Sequence, residues 1–175
     1  MTIYYGDGSN SGTGRVVQVV SVAFTGTYST SNVGQGAETD VPFVASITPK
    51  DNNNKIFVQC QISCDMSTTH ASFATLKRSI GGGSYSEPFV GNASGNRHRV
   101  TSGSPDNTNA SLRNICFSYL DNPQTTSQVN YGFTVSHNDN GTVHIYFNYH
   151  DGDSNHSYSG RGASSIVLME VAVWV

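Results

Sequence analysis

The chain has 175 residues and a net charge of −3; only 12% of its side chains are charged and 36% are hydrophobic, against roughly 25% charged in an average globular domain. Ser, Thr, Asn and Gly fill 74 positions, a composition that favours turns and strands over helices. The length suits one domain with its own core, the basic residues are too scattered to hold a nucleic-acid backbone, and no apolar run approaches the ~20 residues of a membrane helix.

Residues 1–14 are dominated by Gly, Ser, Asn and Thr after Tyr4 and Tyr5. They lack the basic and apolar stretches of a signal peptide and read as a flexible N-terminal docking arm on a soluble protein made in a cytosol. From Arg15 onward a period of two takes over, with no capped helical stripe. Strands are predicted over Arg15–Phe24, Glu38–Ile47, Lys55–Met66, Ser72–Ile80, Asn96–Thr101, Ser111–Asp121, Ser127–Asn138, Thr142–His150 and Ser164–Val175. Turn formers separate them, among them Asp51-Asn52-Asn53-Asn54, Gly81-Gly82-Gly83 and Asp121-Asn122-Pro123. Residues 15–175 therefore form a single all-β domain, an antiparallel sandwich of about eight or nine strands.

Within Lys55–Cys64, Ile56, Val58, Cys60, Ile62 and Cys64 share one face and mostly polar residues the other, so one face meets a core. A three-residue loop at Asp139-Asn140-Gly141 would pair the flanking strands as Tyr131:Tyr149, Phe133:Phe147 and Val135:Ile145, apolar against apolar. The last strand breaks the alternation. Ile166, Leu168, Ala172 and Trp174 lie on one face, and Val167, Met169, Val171 and Val173 on the other. It should be covered on both sides, either between two layers or by another subunit. Glu170 in that run needs a donor, or must face an interface or solvent. Cys60, Cys64 and Cys116 lack metal-ligand spacing and read as buried free thiols.

Two stretches resemble a known family. Tyr119-Leu120-Asp121-Asn122-Pro123-Gln124-Thr125-Thr126-Ser127 and Arg161-Gly162-Ala163-Ser164-Ser165-Ile166-Val167-Leu168-Met169-Glu170-Val171, with Ser46-Ile47-Thr48-Pro49 and Asn96-Arg97-His98-Arg99-Val100-Thr101 upstream, are similar to the C-terminal β-domain of tail-fibre-like and other virion structural proteins of tailed phages, cyanophages and marine phages in particular. The resemblance spans about residues 15–175. It implies a jelly-roll-like module in a virion assembled in the host cytoplasm, oligomeric as at a fibre tip, with no catalytic residues and no cofactor. The familiar long proteins carry a shaft or anchor before this module, whereas fourteen residues precede it here.

No catalytic elbow, phosphate loop or dinucleotide fingerprint is present. Asp151-Gly152-Asp153-Ser154-Asn155-His156 begins like a calcium loop but has His156 where an EF-hand needs Gly and Gly162 where it needs Glu; it reads as a polar turn, and no metal is predicted. The candidate binding surface is aromatic and polar. His144, Tyr146, Asn148 and His150 would share the outer face of one strand, with Tyr85 and Tyr158 in Ser/Asn/Gly loops, a composition suited to adaptable recognition such as stacking on a host surface polysaccharide. Val167, Met169, Val171 and Val173 are the candidate oligomer interface, a homotrimer by expectation. The sequence thus reads as a non-enzymatic tail-fibre or tail-tip module that binds a host glycan. The alternative is a capsid decoration or other accessory virion protein docked to its neighbours through residues 1–14.

Overall fold

The computed structural model describes residues 15–67, 71–104, 112–153, 155–156 and 159–173; the docking arm, Tyr158, Trp174 and Val175 lie outside them. Among the described residues eleven strands are formed: β1 (Arg15–Phe24), β2 (Tyr28–Val33), β3 (Thr39–Asp40), β4 (Ala45–Ile47), β5 (Lys55–Met66), β6 (Ser72–Ile80), β7 (Ser102–Ser104), β8 (Arg113–Asp121), β9 (Val129–His137), β10 (Thr142–Phe147) and β11 (Ser164–Ala172). All pairings between them are antiparallel. The first sheet holds β1, β11, β5, β10, β2 and β8, the second β3, β4, β9, β6 and β7.

Several of these strands are halves of longer ones. Cys64 of β5 pairs with Arg113 of β8 and Phe147 of β10, and Gln59 with Ser118 of β8 and Val167 of β11. Because a strand has two edges, β10 and β11 lie end to end along the edge opposite β8. The excursion 148–163 leaves the sheet between them, and β2 and β1 flank them in the same way. In the second sheet β3 and β4 share one edge of β9, interrupted near Pro42, which has no N–H for the ladder. Merging the halves leaves two four-stranded sheets, ordered 15–33, 142–172, 55–66, 113–121 and 39–47, 129–137, 72–80, 102–104. This is the jelly-roll arrangement.

The core lies between the sheets. Ile56, Val58, Cys60, Ile62, Cys64 and Met66 of β5, Ile166 and Leu168 of β11, and Val143, Ile145 and Phe147 of β10 face Leu76, Tyr131, Phe133 and Val135. Phe133 takes Phe43 and Phe117 edge-on at 5.5 and 5.9 Å, geometry that aromatic rings favour. A buried polar link crosses the sandwich: Asp121 of β8 receives the Tyr131 hydroxyl at 2.6 Å and Arg78 at 2.8 Å.

Three sequence expectations are corrected, and of the two covers left open for the last strand, a second layer is not supplied by the described residues of the chain. Strands β9 and β10 are not a hairpin: β9 pairs with β6 and β10 with β2 and β5. The apolar residues proposed as lateral pairs, Phe133 with Phe147 and Val135 with Ile145, belong to opposite walls of one core, a match that alternation cannot tell from side-by-side pairing. Asn96–Thr101 is loop, and the short β7 follows it. The polar Tyr28–Val33, with no apolar rhythm, is a strand because β10 pairs with it along six residues. The last strand is interior within its sheet, yet only its even face is sealed. Val167, Met169 and Val171 stay partly exposed and Val173 more so.

Candidate functional site

Past Phe147 the backbone turns sharply. Asn148 has φ of 66°, a left-handed value that Asn tolerates better than most residues. Its amide nitrogen donates to the carbonyls of Phe24 and Gly26, both at 2.7 Å, and its Oδ1 accepts from Ser164 Oγ at 2.8 Å. Its own N–H reaches Ser63 O at 2.8 Å and its carbonyl takes Gly162 N–H at 2.9 Å. Asn148 thus closes the break that β1/β2 and β10/β11 share and is fully buried, not part of an outer face as the alternation implied. His150 is buried too, its Nδ1 against Asp151 O and its Nε2 without a partner. The strand ends before either residue, so the alternation that grouped them with His144 no longer applies.

The excursion folds back over the outer face of the first sheet. The buried Asp65 carboxylate pins it, accepting Met66 N–H and Asp151 N–H, both at 2.9 Å. This fixes an aromatic ridge. His144 and Tyr146, on the outer face of β10, stack at 6.4 Å and 28°. Tyr149 meets Tyr146 edge-on at 5.2 Å, and the Arg161 guanidinium lies 5.3 Å from the Tyr149 ring centre, a cation–π position. Asp153 holds Arg161 at 2.7 Å. Burial first, then the hydrogen bond to Asp151, pushes the Tyr146 phenol up to about 12. Ser31 and Ser29 of β2 lie beside His144 and Tyr146. The ridge offers ring faces, an imidazole, a guanidinium and hydroxyls, the groups that stack on a sugar ring and bond its hydroxyls.

Of the candidate binding residues, the structure brings together His144 and Tyr146. Tyr85 is exposed on the second sheet. The sequence left Arg161, Asp151 and Asp153 out of the site because their roles depend on how a sixteen-residue excursion folds back, which no local spacing encodes.

A second feature crosses the first sheet's outer face. Register places Val19 opposite Met169, Met169 opposite Phe57, and Phe57 opposite Leu120. This makes one apolar row over four strands, with Val19 56% and Leu120 53% exposed. Val16 and Val171 pair beside it. The next rows are Ser21, Val167, Gln59 and Ser118, then Ala23, Ser165, Gln61 and Cys116, uncharged and flooring a shallow groove of about 430 Å³. All three cysteines are free, but Cys116 is exposed on this face rather than buried.

Among the described residues no group of three or more His, Cys, Asp or Glu is placed to hold a metal, and Asp151 and Asp153 are engaged by Tyr146 and Arg161. No known protein family matches the chain, and no curated protein does. Among solved structures, that of infectious bursal disease virus strain Gt superposes with a TM-score of 0.44 and 13% identity, covering 94% of this chain and 39% of that one. The strain Gx structure gives 0.41 and 12%, covering 90% and 37%. The crystal structure of the VP2 subviral particle of the same virus gives 0.42 and 11%, covering 90% and 42%. The chain spans about two fifths of the length of those chains.

Proposed function

We propose that this chain is a non-enzymatic structural protein of a tailed-phage virion, a homotrimer at a tail fibre or tail tip that presents the His144–Tyr146–Tyr149–Arg161 ridge to a host surface glycan. The observation that carries the reading is the apolar row Val19–Met169–Phe57–Leu120, which a monomer would leave wet. Four strands about 4.8 Å apart and some seven residues at ~3.3 Å give a footprint of roughly 400–500 Å² per copy. Two such faces bury on the order of 1,000 Å², the lower bound for a specific interface. The rows from Ser21 to Ser118 and from Ala23 to Cys116 carry no charge to repel an identical face, and Lys55, opposite Val171, stands at its edge. A second copy is therefore the occupant that fits, with three faces converging on one axis. The jelly roll also suits the role, since it serves capsid and lectin domains alike, and the resemblance of residues 15–175 to phage tail domains points the same way.

Sedimentation equilibrium at micromolar concentration tests the assembly. A trimer is expected, with Met169→Lys dissociating it; a monomeric wild type overturns self-association, and a dimer overturns the threefold arrangement. Binding of the protein to host cells, lost at least tenfold in Tyr146→Ala, tests the ridge. Antibody labelling of virions separates tail ends from heads, and labelled heads would favour the capsid-decoration role.

A further inference from the structure

On the opposite side of the molecule the outer face of the second sheet carries a recess of about 270 Å³. We propose that it binds one neutral pyranose ring of a glycan. The inference rests on the glycan-contacting reading above but places the contact at a separate site. Gly132 of β9 lies opposite Lys77 of β6, and its missing side chain opens the recess: a Cβ there would come within 3.2 Å of Val44 Cγ2. The volume falls below the roughly 300–1,000 Å³ of pockets for drug-sized ligands, which suits one ring and not a chain.

The polar groups are fixed in advance. Lys77 Nζ sits 2.6 Å from Glu38 Oε2 and 2.6 Å from Glu87 Oε1, its side chain 15% exposed. Burial lowers its pKa and the two carboxylates raise it, with a net rise, so the ammonium stays charged. One ammonium proton and the second oxygen of Glu38, which lines the recess, remain to meet neighbouring hydroxyls as a donor beside an acceptor. Thr134 lines the same recess at 6% exposure, and its hydroxyl has no hydrogen-bond partner. Such a group is costly to bury alone, and a ligand hydroxyl would satisfy it. Tyr85, 54% exposed, and Val44 stand at the rim, apolar surface for the C–H face of a sugar. Glu38, Asp40 and Glu87 outnumber Lys77, so the local charge is negative and repels acidic sugars.

Amide NMR titration of the full chain with the methyl glycosides of glucose, galactose, mannose and galacturonic acid tests the site. At least one neutral glycoside is expected to shift the amides of Gly132 and Thr134 with a millimolar Kd, and the galacturonide to bind at least tenfold more weakly. Gly132→Val, which fills the recess, should abolish the shifts, and Tyr85→Ala, which leaves the sheet untouched, should weaken binding several-fold. Tyr146→Ala should leave them unchanged. No neutral-glycoside shift at Gly132, equal binding of the galacturonide, shifts that survive both Gly132→Val and Tyr85→Ala, or shifts produced by arginine amide in place of the sugars overturns the proposal. Loss of cell binding in Tyr146→Ala with no sugar response at Gly132 would sink this site and keep the ridge. Sugar shifts at Gly132 with no binding to host cells would do the reverse.

Discussion

At the scale of single residues, Asn148 shows how one side chain stands in for missing ladder. Its amide serves Phe24 O and Gly26 O where β1 stops before β2 begins. Removing it strands two carbonyls and the Ser164 hydroxyl, each a loss of about 1 kcal/mol or more. Asn148→Ala adds the cost of a left-handed backbone, about 1 kcal/mol, which Asn148→Gly avoids. Urea denaturation should therefore show both variants destabilised, by about 4 kcal/mol for Ala and about 3 for Gly; equal midpoints for the two would refute the backbone part. The thiols make a second case. Burial, reinforced for Cys64 by the neighbouring Asp65 carboxylate, pushes the Cys64 thiol up to about 12, and burial raises Cys60 further, whereas Cys116 is exposed. A thiol reagent at pH 8 should titrate three cysteines in denaturant and, in the folded Met169→Lys variant whose copies are apart, Cys116 alone, because the thiolate is the reacting species. A native count of three would contradict the burial of β5.

At the scale of elements, β5 was legible to the residue, since its alternation is strict and turn formers precede it; β6 also has its expected bounds, although Phe73 and Arg78 break its alternation. β11 was legible at its start and in its doubly apolar character, but not in which face would be sealed, because that depends on β1 and β5 lying beside it. Glu170 marks the limit of such reading. Its place among Leu168, Met169 and Val171 demanded partners, and the partners come from elsewhere in the chain: Gln18 Nε2 at 2.6 Å, Lys50 N–H at 2.7 Å and Asn54 Nδ2 at 2.6 Å. A fully buried carboxylate thereby ties β1, β11 and the turn before β5 with neutral donors alone. Glu170→Ala leaves those donors facing one another and should cost about 3 kcal/mol. Glu170→Gln keeps one acceptor oxygen and should cost about half as much. Chemical denaturation with an unchanged m-value would register both, and an Ala variant as stable as wild type would show that water replaces the carboxylate there. Of the ridge, His144 and Tyr146 were legible because they alternate within β10; Tyr149 and Arg161 join them only through the fold of the 148–163 excursion.

At the scale of the molecule, the two sheets are joined by apolar packing and by a buried polar link through Asp121, and that link bears on how the fold responds to base. The Tyr131 hydroxyl donates to Asp121 Oδ2 at 2.6 Å, and Asp121 also receives Arg78. Ionising Tyr131 would place a phenolate in the core beside a carboxylate, so burial first and the Asp121 hydrogen bond second drive its pKa far above the ordinary 10. Tyr146 is pushed up to about 12 and Lys77 is raised too. A group whose folded pKa exceeds its unfolded one stabilises the fold fully below the unfolded value and loses that contribution as pH climbs toward the folded one. All three act in the same direction, as do the raised Cys60 and Cys64 thiols, whose unfolded pKa is near 9, so stability should hold to about pH 9 and fall above it. Following tyrosine ionisation by absorbance at 295 nm alongside β-sheet circular dichroism, Tyr131 should ionise only as the sheet signal is lost. Tyr131→Phe should remove that lagging step and, by taking a donor from buried Asp121, lower stability at neutral pH by about 1–3 kcal/mol. A single ionisation step near pH 10 with the sheet signal intact would mean that the phenol is open to solvent and that the link between the sheets is not closed.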